Sequence, residues 1–203
     1  MSAFLGPIHI WLYNKIKFQE EMTDAILQAA EEKGYADGIR EKAKNRYGML
    51  PSGNLEDSIE TSNIHGWLQE RVSQVENRLA YVVTILLKDN PDHLNEFLEA
   101  VYALGEKHSA GRNLTVREAY DYLENTLLNG MPCDRVNALT EESEKKLIFR
   151  QTTEIHADYW NLIQGDVNHY YLLRHSLMKG MLSESGVEFT VNENQVYELR
   201  SCS

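Results

Sequence analysis

Residues 8–20 read IHIWLYNKIKFQE, and residues 64–76 read IHGWLQERVSQVE. Both stretches hold an Ile-His pair, a Trp, a Leu and a closing Glu at the same offsets. His9 lies eleven residues before Glu20, and His65 eleven before Glu76. At about 100° per residue, that spacing returns to within roughly 20° of its starting direction. Imidazole and carboxylate then share a helix face with Leu12 and Ile16 in one stretch, and with Leu68 and Val72 in the other. A glutamate is almost never fully buried unless it is paired, because an isolated buried charge is very costly. Imidazole and carboxylate are also the donors that zinc and iron take between helices.

A third histidine extends the pattern. His156 shares a helical stripe with Trp160, Ile163, Val167 and Tyr170, and Arg174 returns to that face eighteen residues on. This reading is a buried transition-metal site, zinc or iron, with His9, His65, His156, Glu20 and Glu76 as ligands. Arg174, the pair Asp166 and His169, and the loop residue Cys133 are further candidates for ligands or pocket walls. Eleven residues of helix span about 16 Å, so His9 and Glu20 cannot hold one ion. Antiparallel helices would bring His9 level with Glu76, and parallel ones would level the two histidines. The Glu-x-x-His pairs of di-iron bundles are approximated only by Asp166-x-x-His169. Gln69 and Trp160 stand where a second ligand one turn after His65 or His156 would be. A catalytic role would follow only if the metal keeps an open position for water or oxygen, and the sequence leaves that point open.

Two other readings use the same residues. In one, core His, Glu and Arg form a satisfied polar network that fixes helix register. Trp11 and Trp67, on the opposite faces of their helices, then serve a homo-oligomer or a partner. In the other, Arg174 anchors a small anionic or aromatic ligand, or heme, between Tyr13, Trp160 and Tyr170.

The elements that would position these groups are helical. Apolar residues recur at helical spacing, and proline and glycine punctuate the chain. The pattern predicts helices over 7–33, 36–47 and 54–88, and another opening at Asn90-Pro91. A further helix runs from Thr115 to Gly130, and a last long one from about 140 to 182. The expected fold is all-α: a helical bundle of four long helices and one or two shorter ones over residues 1–186. Residues 187–203, with VEFTV and VYELR around NENQ, read as a short hairpin or extended arm.

Composition narrows the partners. With 31 acidic against 20 basic residues the formal net charge is −11, and the one dense basic run is REKAKNR at 40–46. Nucleic acid and anionic lipid are therefore poor partners. The two cysteines make no CxxC pair or disulfide framework. The N-terminal residues lack the basic and apolar regions of a signal peptide, and LAYVVTILL at 79–87 is too short to cross a membrane. A cytoplasmic protein is expected.

Overall fold

The computed structural model describes residues 4–192 and 195–202. Pro7 opens helix α1 (Pro7–Glu32), at a position where its missing N–H would have no helical partner. Helices α2 (Ile39–Tyr47) and α3 (Leu55–Ser58) and one 3-10 turn lead to α4 (Ile64–Asp89). Asn63 caps α4 by accepting the Gly66 N–H at 3.1 Å. Helix α5 (His93–Lys107) follows, and then α6 (Val116–Thr126). Thr115 and Glu118 close a reciprocal capping box at the start of α6.

Helices α1 and α4 pack in the same direction. Tyr13 meets Trp67 with ring centroids 5.6 Å apart, and further along Glu20 meets Arg78. Leu12, Ile16, Leu68, Val72 and Val75 close one apolar cluster at this end. A second parallel pair is α5 with α8 (Val167–Met181). The Ser176 hydroxyl donates to the Leu98 carbonyl at 2.8 Å, and the Ala110 N–H to that of Met181 at 2.8 Å. Gly105 and Gly180 lie at their crossing, and a Cβ on either would collide with the backbone of the facing helix.

The all-α expectation is corrected by a four-stranded antiparallel sheet. Its strands are β1 (Asn137–Glu142), β2 (Lys146–Gln151), β3 (Val187–Val191) and β4 (Val196–Ser201), in the order β1-β2-β4-β3. The single helix expected over 140–182 is instead a hairpin, the short helix α7 (Ala157–Asn161) and α8. Only one face of the sheet is buried. Leu147, Phe149, Val187, Phe189, Tyr197 and Leu199 turn inward, and α6 and α8 contact the strands. Leu147 stands opposite Leu199, and Phe149 opposite Tyr197. The sheet therefore joins strands from both sides of residue 186. Within the turn read at 192–195, Glu193 and Asn194 lie outside the described residues, as do residues 1–3 and Ser203. No described helix is long and apolar enough to cross a membrane.

The joint between α8 and the sheet carries a pH-sensitive group. His175 Nε2 lies 3.5 Å from the Tyr197 hydroxyl. Burial, and then the Arg174 charge, push the imidazole down from 6.5 to about 4, against a hydrogen bond with Gln195. Between those two values the unfolded chain takes up a proton that the folded chain refuses. Stability should therefore fall as pH falls through this window, by roughly 2 kcal/mol after solvent screening. Urea titrations of His175→Gln at pH 4.5 and 7 should show this part of the acid sensitivity removed.

Candidate functional site

The residues expected to share a metal are separated. His9 stands in the first turn of α1, where its Nδ1 accepts the Gly6 N–H at 2.9 Å. His65 is exposed on the first turn of α4. Glu20 is taken by Arg78, whose Nε lies 2.8 and 3.2 Å from the two carboxylate oxygens. Arg78 is wholly buried, and its Nη1 also donates to the Gly48 carbonyl at 2.9 Å. Burial holds the Glu20 carboxyl above its ordinary range, and Arg78 pulls the other way.

Glu76 is taken by His156, with Nδ1 at 3.1 and 3.2 Å from its two oxygens. His156 does not ride on the stripe of α8. It is the residue before α7, turned inward and stacked on Tyr170 at a centroid distance of 3.8 Å. Glu154 caps α7 by accepting the backbone N–H of His156 (2.6 Å) and Ala157 (3.0 Å), together with the Tyr171 hydroxyl. Burial raises the Glu154 carboxyl, but those three donors hold it below the usual range.

Asp166 caps α8 by accepting the Asn168 N–H at 2.9 Å. His169 lies edge-on to Trp160, and Cys133 is exposed. Among the described residues, no group of three or more His, Cys, Asp or Glu comes together to hold a metal ion. The metal-binding expectation is corrected accordingly. Each of the two core glutamates has a basic partner instead.

Two buried bases lack such a partner. Lys15, in the third turn of α1, is 4 % exposed. Its Nζ donates to the Glu124 backbone carbonyl at 2.9 Å and lies 4.0 Å from the Trp11 ring centroid. That carbonyl belongs to the last turn of α6, where helical acceptors go unused and the helix end is negative. Arg174 is 8 % exposed on α8. Its Nη1 donates to the Leu128 carbonyl (3.1 Å) and the Tyr170 hydroxyl (3.0 Å), and its Nη2 to Asn129 Oδ1 (2.5 Å). None of these acceptors is a carboxylate.

Lys15 lines a cleft, and Arg174 lines a smaller cavity beside it. Trp11, Lys15, Glu124, Asn129, Arg135 and Asn137 line a space of about 90 Å³ between α1, the end of α6 and the loop before β1. A narrow cavity of about 10 Å³ shares Glu124 and Asn137 with it and reaches Arg174, Gln151 and Tyr197. The Glu124 carboxylate accepts the side-chain amide of Asn137 at 2.5 Å and of Asn129 at 3.4 Å. Asn129 thus bridges Arg174 and Glu124. Burial draws the Lys15 ammonium down to about 8, and Glu124 opposes that shift while Arg174 adds to it.

No family model, curated protein or solved structure matches the chain. The chemistry of the cleft therefore rests on its own groups. Of its charged and amide groups, the sequence pattern singles out Arg174 alone. Lys15 had a readable signal, since it adjoins Ile16 on the flank of the core stripe. Asn129 and Asn137 lie in a loop and at a strand start, where periodicity locates nothing.

Proposed function

We propose that the protein binds a small anion, a carboxylate first, in the cleft between Lys15, Asn129 and Arg135, with Arg174 behind it. The observation that carries this reading is an imbalance in the core. Among the described buried residues, Arg78 and His156 each meet a glutamate, whereas Lys15 and Arg174 meet neutral acceptors. A chain with 31 acidic residues has carboxylates to spare, yet among the described residues Glu124 is the carboxylate whose charge acts on both cations. A ligand's negative charge would offset the cost of burying them. The size of the cleft suits an acid of a few heavy atoms.

This reading moves Arg174 from the anchor expected from the sequence to a brace behind Asn129, and it changes the walls. Tyr13 packs on Trp67, Trp160 is wholly buried, and Tyr170 bonds to Arg174 itself. The two tryptophans expected to face a partner are half-buried, and each has a contact within the chain. Trp11 Nε1 donates to Asn125 Oδ1 at 3.0 Å, and Arg71 lies over the Trp67 ring. The Glu20–Arg78 and Glu76–His156 pairs fit the register-fixing network and leave the cleft free for a ligand.

Thermal unfolding with acetate, propionate, pyruvate, benzoate and phosphate, against chloride at equal ionic strength, tests the proposal. At a hundred times its dissociation constant, a bound anion should add about 2.7 kcal/mol of stability. Lys15→Met and Arg135→Ala should each reduce that gain. If no anion stabilises the protein more than chloride does, the proposal fails.

A further inference from the structure

We infer that Lys15 is a carbonyl-capturing amine and that the anion it serves is a small 2-oxo acid. The inference rests on the anion site proposed above and names its substrate class. Three features of the cleft combine to support it.

The amine is held in place. Lys15 Nζ is fixed by one N–H to the Glu124 carbonyl and covered by the Trp11 ring. A neutral amine has two N–H groups and a lone pair. It can keep that hydrogen bond and still present the lone pair to a bound carbonyl. The low solvation that lowers the Lys15 ammonium to about 8 also keeps part of the amine neutral near physiological pH.

A carboxylate anchor lies on the same cleft. Asn129 and Arg135 line it beside Lys15, and Asn129 is itself braced by Arg174. A 2-oxo acid carries its carbonyl one bond from its carboxylate, so an anchored acid would place that carbon beside the amine.

A proton carrier is also present. Glu124 lines the cleft with its carboxylate fixed by Asn137 and Asn129. Attack by the Lys15 lone pair forms the C–N bond, and the carbonyl π pair moves to oxygen. The nitrogen then passes one proton through Glu124 to the oxygen, which gives a neutral amine and a hydroxyl on one carbon. The hydroxyl leaves as the nitrogen lone pair forms the C=N bond, and the remaining N–H proton, passed through Glu124, completes the water. The balance is amine plus carbonyl to imine plus water, with no oxidant or reductant.

The test is reductive trapping. The protein is incubated with pyruvate and cyanoborohydride near pH 7.5, digested and mapped by mass spectrometry. The expected adduct is one pyruvate less one oxygen, on the peptide carrying Lys15. Its neutral fraction alone favours it about a hundredfold over a surface lysine. Labelling should saturate with pyruvate, fall when propionate competes, and vanish from that position in Lys15→Arg. Mapping the wild-type protein decides the matter even if that variant does not fold. Equal labelling across the lysines would overturn the inference. If pyruvate and propionate both stabilise the protein but Lys15 stays unlabelled, the inference falls and the anion site stands. If neither stabilises it and Lys15 stays unlabelled, both fall.

Discussion

Gly105→Ala is expected to destabilise the protein by about 3 kcal/mol, although alanine is the better helix former. In an exposed helix the same change would stabilise by roughly 1 kcal/mol. Here the added Cβ would overlap the Leu177 carbonyl oxygen and crowd Gly180 and Met181. Backbone atoms cannot rotate away as a side chain can, so the two helices must separate. That separation would loosen Phe97, Val101, Leu177 and Met178, all buried in the main core. Gly180→Ala meets the Tyr102 carbonyl from the other side and should cost a similar amount. The double variant should cost less than the sum, because helices already forced apart have room for the second methyl. Urea midpoints of the three variants measure this. A stabilised Gly105→Ala would mean that α5 and α8 do not approach this closely.

Arg78→Leu should cost about 3–5 kcal/mol, the usual penalty for breaking a buried ion pair from one side. It strands the Glu20 carboxylate and removes the donor to the Gly48 carbonyl. Replacing both partners, as in Glu20→Leu with Arg78→Leu, should recover much of that loss, because no charge is then left unpaired. The pH dependence separates this mechanism from lost packing. The Glu20 carboxyl is already raised by burial, with Arg78 holding it down. Without Arg78 it rises further, so the folded state takes up its proton at higher pH than the unfolded chain does. The deficit of Arg78→Leu should be largest at neutral pH and shrink in acid. A deficit that stays constant from pH 7 to 4 would point to packing alone.

How far the sequence was legible depended on how many residues repeat a signal. Helices α1 and α4 each span 26 residues, enough turns for the apolar stripe to declare itself. Strand β2 offers only Leu147 and Phe149 as buried residues, and β1 is exposed along its last four positions. Two inward residues make no convincing period. The charges around them, Glu141 to Lys146, resemble an exposed helix face. That is why the pattern predicts a long helix through the hairpin.

At the site, the sequence marks Glu20 and Glu76 as buried polar groups but does not name their partners. Arg78 lies two residues beyond Glu76, and its link to Glu20 depends on α1 and α4 running in parallel. His65 repeats the offset of His9, yet one is exposed and the other caps its helix. Spacing records which residues share a face. It does not record how far along that face the neighbouring helix reaches. The cleft was hidden for the same reason, since Lys15, Glu124 and Asn137 come from three elements brought together only by the fold.

The strand order has a consequence for synthesis. β4 lies between β2 and β3, though it is the last of the four to be made. When the β1–β2 hairpin leaves the ribosome, the open edge of β2 carries Leu147 and Phe149 with nothing beside them. Such an edge invites pairing with other chains. Its natural cover arrives roughly 50 residues later, between Gln151 and Ser201. At a translation speed of about 5–20 residues per second, that edge is left open for several seconds in every newly made molecule.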